Sequence, residues 1–254
     1  MNRIEGTLQA LNSVQQTAMI GYSIIGDPDQ EMSIAIVLQM IKNGCDMIEL
    51  GLPFSDPIAL NKDLQKANVR ALSHHMTTST AMQCIKEIRE TTAIPIILNV
   101  YYNQIFCYGI DKFFCEASSS GVDGIFIGDF PIEHQYEVME SAQKYNIYLL
   151  SLITPSSSKR IKKIAENAQG YLYCAAKEED LFGFIEVLNR ETSIPKIITM
   201  NMENLRYFKK GKHLEDGVKV EDMIIKEIPR LLETAITLEE LGQIIKKISN
   251  RVHQ

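Results

Sequence analysis

The segment from Asp46 to Pro57 contains the strongest candidate in the sequence for a catalytic carboxylate. Its β-rich start, Asp46–Leu50, holds a carboxylate near its end and leads into a loop bounded by two prolines. If this start is a strand with alternating side chains, Glu49 points into a barrel. A buried carboxylate without a partner has a raised pKa, which suits a general acid or base. The alternative interpretation is a structural glutamate that a backbone N–H or a tyrosine hydroxyl satisfies.

The composition of the chain excludes several classes of protein. The chain has 254 residues, 45% hydrophobic and 23% charged, which is typical of a globular protein with a packed core. Its 26 Lys and Arg against 32 Asp and Glu give a net charge of −6, which disfavours nucleic acid and anionic membranes as partners. The five cysteines form no CxxC pair, so we expect reduced thiols, no metal and no cofactor.

The N-terminus has no apolar run of signal length, and no stretch reaches about 18 uninterrupted apolar residues. We therefore expect a soluble cytoplasmic protein that does not enter a membrane.

The elements that must position Glu49 are short β-rich runs separated by longer helical patterns, as in βα units with a parallel sheet. Eight runs are strand candidates: Thr17–Ile25, Asp46–Leu50, Ile96–Tyr101, Gly124–Gly128, Ile147–Ile153, Tyr171–Cys174, Lys196–Met200 and Val218–Val220. The helical patterns include Glu31–Asn43, Thr77–Thr91, Gly109–Ser119, Glu133–Tyr145, Ser158–Ala168, Glu203–Lys210 and Leu238–Val252.

No linker rich in Pro, Ser or Gly divides the chain, so residues 1–254 are predicted to form one domain. Eight such units predict an α/β fold, a (β/α)₈ TIM barrel with its chemistry at the carboxyl ends of the strands. A doubly wound open sheet is the rival, but no GxGxxG motif follows the first strand.

The chain resembles the α subunit of tryptophan synthase, a family of TIM-barrel lyases that act on indole-3-glycerol phosphate. The segments that carry the resemblance occur in order along most of the chain: Gly26–Pro28, Glu49–Pro57, Gln65–Ala71, Tyr101–Asn103, Gly109–Asp111, Gly121–Gly124, Asp129–Pro131 and Gly170–Tyr173. The stretch around Glu49 is the most specific of them.

The resemblance implies a retro-aldol cleavage that releases indole and glyceraldehyde 3-phosphate, with Glu49 at the position of the first catalytic carboxylate. Tyr173 matches the family's active-site tyrosine, and Tyr22 falls where an aromatic residue walls the indole pocket. Asn99 replaces an apolar pocket residue, and Tyr101 completes the expected substrate-binding set. Asn99 then suggests a more polar ligand, a neighbour for Glu49 or a structural hydrogen bond.

The chain departs from the family where the second catalytic carboxylate is expected. The corresponding run is Ala59–Lys62, and Leu60 stands in place of the acid. Leucine cannot accept the indole N–H or stabilise positive charge on the ring, so we expect the parent reaction to be impaired. Asp63 reaches inward only if the loop shifts; otherwise it is a loop residue that faces solvent.

The chain also departs from the family at the phosphate site. Glycine turns after strands 7 and 8 are replaced by Thr199–Met202 and Val220–Met223. Glu221 and Asp222 would repel an anion there, and one of them is expected to cap the following helix. We therefore expect no phosphate or sulfate to bind between these two turns.

These departures predict a divergent lyase-like enzyme that uses Glu49 as an acid or base on an unphosphorylated small molecule at the barrel mouth. It would serve specialised metabolism and would not be an efficient indole-3-glycerol-phosphate lyase. The alternative is a non-catalytic partner or regulator of a pyridoxal-phosphate β-like subunit. The resemblance assigns docking on that subunit to the loop that contains Pro53, Asp56 and Pro57.

Overall fold

Eight parallel strands form a closed barrel in the order β1 to β8, with β8 bonded back to β1. The structure, a computed structural model, describes residues 1–58, 60–176, 178–200 and 216–253. The strands are β1 Ala18–Ile24, β2 Met47–Gly51, β3 Ile96–Val100, β4 Gly124–Ile127, β5 Tyr148–Ile153, β6 Leu172–Cys174, β7 Lys196–Met200 and β8 Gly217–Val220. The TIM-barrel prediction is confirmed.

Helices surround the barrel. Within the described ranges they are α1 Arg3–Ser13, α2 Gln30–Lys42, α3 Lys62–Ser73, α4 Thr78–Thr91, α5 Tyr102–Tyr108, α6 Ile110–Ser120, α7 Tyr136–Lys144, α8 Ile161–Asn167, α9 Glu178–Glu191, α10 Ile228–Leu232 and α11 Leu238–Val252. Side chains accept backbone N–H groups at several helix starts, as Asp29 does for α2 and Thr237 does for α11. These caps fix where the crossover helices begin.

All eight predicted strands exist, and none of their ends differs from the prediction by more than one residue. Two predicted helices begin differently: Glu133–Tyr145 and Ser158–Ala168 both start as short 3₁₀ turns, Ile132–His134 and Pro155–Arg160. A proline stands before or at the start of each turn and offers no backbone N–H. The predicted helix Glu203–Lys210 lies outside the described residues.

Alternating side chains divide each strand into an inner and an outer face. The lower interior is filled by apolar side chains from several strands: Ala18, Ile20, Met47, Ile97, Leu150, Tyr171 and Ile197. Ile4 and Leu8 of α1 close the bottom of the barrel. A Cβ at Gly124 would come within 2.8 Å of Ile4 Cδ1, so any larger residue there would displace the Ile4 side chain.

All five cysteines are free. Over the described part of the chain, no helix combines the length and the hydropathy needed to cross a bilayer.

The buried carboxylate of Asp123 ties the bottom of the barrel together. It accepts hydrogen bonds from Arg3 Nη1 at 2.8 Å, Arg89 Nη2 at 2.8 Å and the backbone N–H of Ile96 at 2.9 Å. Those donors belong to α1, α4 and β3, so one side chain joins three elements that are far apart in sequence. Asp123 lies within Gly121–Gly124, one of the segments that carry the resemblance.

We expect Asp123→Ala to lower the free energy of unfolding by about 3 kcal/mol, because breaking a buried ion pair leaves its partners uncompensated. Asp111→Ala is the control, since this carboxylate is exposed and its ion pair is with Lys144, at 2.8 Å. Urea unfolding of both variants measures the effect, and the control should lose far less. Equal losses would show that Asp123 is not a special anchor.

Candidate functional site

Glu49 lies inside the barrel on β2 and is fully buried. Its neighbours Ile48 and Leu50 face outward and join the core beneath the helices. The register places Glu49 beside Tyr22 of β1 and Ile97 of β3. Alternation on β2 thus aims the carboxylate into the barrel, in the layer above the apolar bottom.

One oxygen of Glu49 receives two donors and the other receives none among the described residues. Asn99 Nδ2 donates to Oε1 at 2.7 Å, and Lys219 Nζ donates to the same oxygen at 3.1 Å. Oε2 is buried without a hydrogen-bond partner in the described chain. Buried polar atoms are nearly always paired, so an unpaired carboxylate oxygen marks a place where a ligand can bind.

Lys219 is the functional residue that sequence reasoning missed. It lies on β8 between the outward-facing Val218 and Val220, and its side chain is 5% exposed. The signal was present in the sequence, since alternation along the strand sends the middle residue inward. A buried lysine needs counter-charge, and Glu49 supplies it.

Aromatic rings and a second carboxylate enclose the ammonium of Lys219. Its Nζ lies 4.9 Å from the ring centre of Tyr22 and 5.0 Å from that of Tyr173, which suits cation–π contacts. Glu221 Oε1 lies 3.6 Å from the same nitrogen, and this side chain is 32% exposed. Two carboxylates therefore share one ammonium at the mouth of the barrel.

Burial raises the pKa of Glu49 above its ordinary value, against the opposing effects of Lys219 and Asn99. Glu221 adds to the increase by like-charge repulsion. Burial alone would lower the pKa of Lys219, but Glu49 and Glu221 outweigh it and raise that pKa. The lysine thus remains a cation, and Glu49 exchanges its proton at higher pH than a free glutamate does.

The tyrosines expected at the pocket surround this pair. Tyr22 is buried on β1, and burial raises the pKa of its hydroxyl. Tyr173 on β6 stacks at a tilt on Phe126 with ring centres 4.7 Å apart. The hydroxyls of Tyr171 and Tyr173 have no hydrogen-bond partner within the described ranges. Polar atoms inside an aromatic wall suit a planar ligand that also carries polar groups.

The structure brings Asn99 into contact with Glu49 but places Tyr101 elsewhere. The ring of Tyr101 stacks on Phe54 at 4.9 Å between ring centres. Its hydroxyl accepts the backbone N–H of Ile58 at 3.0 Å. Tyr101 therefore braces the loop after β2, and a role in substrate binding stays a prediction.

In that loop, Pro53 is buried and its carbonyl accepts Gln104 Nε2 at 2.9 Å. Asp56 is exposed, Pro57 is half-buried and Ile58 is 64% exposed. The tip of the loop, rather than Pro53, is the part that another protein can reach.

Leu60 is half-buried and packs against the core. The next residue, Asn61, caps α3 by accepting the backbone N–H groups of Asp63 and Leu64 at 3.0 and 2.9 Å. Asp63 therefore belongs to the first turn of α3. Ala59 lies outside the described residues.

The turn after β8 differs from the expectation. Residues 221–227 form turns, and α10 begins only at Ile228 with Glu227 at its N-cap and no side-chain cap bond. The prediction that Glu221 or Asp222 caps the next helix is therefore wrong. Both acids are engaged by lysines instead: Asp222 Oδ2 lies 2.6 Å from Lys226 Nζ, and Glu221 pairs with Lys219.

Of the two turns of the expected anion site, the structure describes residues 199–200 and 220–223. The backbone N–H of Glu221 donates to the carbonyl of Met200 at 3.2 Å, which extends the β7–β8 ladder. Asn201 and Met202 lie outside the described residues.

The fold is a (β/α)₈ barrel with a buried carboxylate toward the carboxyl ends of its strands, where barrel enzymes carry their chemistry. A family model described as tryptophan synthase alpha chain matches residues 8–252. The chain belongs to this family.

Several relatives cover nearly the whole chain. The tryptophan synthase alpha chain of Caldanaerobacter subterraneus subsp. tengcongensis is 36% identical over 96% of this chain and 97% of its own length. That of Alkaliphilus metalliredigens is 34% identical over 98% and 97%. The crystal structure of the alpha subunit from Legionella pneumophila superposes with a TM-score of 0.92 at 29% identity, covering 99% of this chain and 98% of that one.

These relatives overturn the expectation of a divergent member that has left the parent reaction. Relatives at 31% to 36% identity over nearly the whole chain carry the ordinary name, and they point to the ordinary enzyme. The same finding removes the alternative of a non-catalytic partner. The expectation extends the change at Leu60 to the whole site without Lys219, and it treats Glu221 only as a residue that repels an anion, although Glu221 also pairs with Lys219 beside Glu49.

We expect Glu49→Leu to lower the free energy of unfolding by about 3–5 kcal/mol, because it leaves the buried ammonium of Lys219 without its closest partner. The double variant Glu49→Leu with Lys219→Met should recover most of that loss, since it buries no charge there. Urea unfolding of both single variants and the double variant measures the coupling. Losses that simply add would contradict a direct interaction between the two side chains.

Proposed function

We propose that this protein is a carbon–carbon lyase of the tryptophan synthase alpha type, which cleaves indole-3-glycerol phosphate to indole and glyceraldehyde 3-phosphate. The observation that carries the proposal is the buried carboxylate of Glu49, with one oxygen held by two donors and the other unpaired in the described chain. Relatives named tryptophan synthase alpha chain over the whole length support the choice of reaction.

Cleavage breaks the bond between the indole ring and the first carbon of the glycerol chain. The ring carbon gains a proton, the neighbouring hydroxyl loses one, and the electron pair of the broken bond stays with the ring while an aldehyde forms. We assign Glu49 to these proton transfers through Oε2, because Oε1 is occupied by Asn99 and Lys219. Tyr22 and Tyr173 supply aromatic walls for the ring.

Each of these steps moves protons and electron pairs only, so the proposal assigns no cofactor. The reaction belongs to biosynthesis, and we place it in the cytoplasm, as the sequence predicts.

We expect Glu49→Gln to lower kcat for indole release by about 10²- to 10⁴-fold, because the amide cannot exchange the proton. Glu90→Gln, a change at an exposed glutamate of α4, is the matched control and should leave kcat unchanged. Burial raises the pKa of Glu49, so wild-type activity should fall with decreasing pH at values above those of a free glutamate.

The assay uses chromatography to measure the indole that is formed from indole-3-glycerol phosphate. No indole from the wild-type protein, alone or with a β chain, would refute the proposed reaction.

We also propose that the chain assembles with a pyridoxal-phosphate β-like subunit through the rim near the loop after β2. The exposed tip of that loop and the exposed aromatic side chains of Phe106 and Tyr136, 62% and 72% accessible, support the proposal. Gln104 of α5 bonds to Pro53, which places the helix that carries Phe106 beside the loop. Exposed aromatic residues are enriched at protein interfaces.

We expect Asp56→Lys to weaken binding of the β chain of the same organism by about tenfold, or roughly 1.4 kcal/mol, because it reverses a charge at the rim of the contact. Glu166→Lys is the control, because it makes the same change on an exposed site near the C-terminal end of α8, at the opposite face of the barrel. Isothermal titration calorimetry measures both affinities. Equal weakening in both variants would place the contact elsewhere.

A further inference from the structure

The geometry points to Lys219 as a positioning residue for cleavage: its ammonium holds Oε1 of Glu49 so that Oε2 faces the substrate. The inference rests on the proposed lyase function and adds to it a residue from β8, which is separated from β2 by one strand. Lys219 acts through Glu49 and is not itself assigned to the reacting atoms.

The two donors to Glu49 come from different strands and bind the same oxygen. Asn99 of β3 and Lys219 of β8 approach Oε1 at 2.7 and 3.1 Å. Two bonds from separate rigid strands fix the rotation of the carboxylate, so that Oε2 is the oxygen left for proton transfer. Asn99 alone would hold the same oxygen through one neutral donor and would leave the carboxylate without a cation.

Lys219 is itself held in place. Glu221 binds it from the partly exposed side, and the rings of Tyr22 and Tyr173 enclose it. A long flexible side chain loses rotational freedom here, and charge attraction offsets the loss. These contacts make the position of the ammonium a fixed feature of the site.

Among the described residues, the charged and titratable groups that face Glu49 come from β8, the turn after it, β1 and the residue before β6. They are Lys219 on β8, Glu221 after β8, Tyr22 on β1, and Tyr171 beside β6. Burial raises the pKa of both tyrosine hydroxyls, so they remain neutral at pH 7. Among the described residues, Lys219 and Glu221 are therefore the two charges that act on Glu49, and they act in opposite directions.

The test is a ¹³C NMR titration of the Glu49 side-chain carboxyl, with Glu49→Gln to assign the signal. Lys219→Met should raise the midpoint by about one pH unit, and Glu221→Gln should lower it. Lys219→Arg keeps the cation and should stay within about half a unit of the wild type. Lys196→Met is the matched control: this buried lysine of β7 donates to the carbonyl of Thr192 at 2.8 Å and should leave the titration unchanged.

The low-pH limb of kcat for indole release should move with the NMR midpoint in each variant. A midpoint in Lys219→Met equal to that of the wild type, or an equal shift in Lys196→Met, would overturn the inference. If Lys219→Met fails to fold, Glu221→Gln decides by the same readout, and an unmoved midpoint there overturns the inference. If the midpoints shift in the variants as expected but the wild-type protein releases no indole, the lyase function is refuted and the contact with Glu49 stands.

Discussion

The mouth of the barrel depends on one buried ion pair, between Glu49 on β2 and Lys219 on β8. Each group would be costly to bury alone, since burial disfavours an unpaired charge of either sign. Together they place an ionisable carboxylate inside an aromatic wall, where Glu49 is fully buried and Lys219 nearly so. The proposed acid–base chemistry needs that placement, because a carboxylate in bulk water would have neither a raised pKa nor a fixed orientation.

The barrel makes the pair possible by joining residues that are 170 positions apart in the sequence. Strands β1 and β8 are neighbours, and the register sets Ile20 beside Lys219 and Tyr22 beside Glu49. The apolar bottom layer and the Asp123 contacts fix the strands from below. The polar layer can then hold a buried ion pair, because the apolar layer beneath it stabilises the fold.

The sequence predicted the architecture well because strands and crossover helices leave local periodic patterns. It also predicted the inward direction of Glu49, since alternation over Asp46–Leu50 requires it. The same rule applied to Val218–Val220 would have sent Lys219 inward. That strand was interpreted through the turn that follows it, where Glu221 and Asp222 replace glycines, and the lysine between two valines was passed over. The pairing itself could not be predicted, because no local pattern records whether two inward side chains from β2 and β8 lie at the same height in the barrel.

The function was misjudged for a related reason. Leu60 removes a carboxylate from one loop of the site. The charge of the site also depends on side chains from other strands, which that loop does not record. From the other side of β1, β8 brings Lys219 against Glu49 and the following turn brings Glu221 against Lys219, so the region holds two carboxylates after all. A substitution in a motif therefore says what one position has lost. Only the packed barrel shows which charges from other strands lie beside the carboxylate that remains.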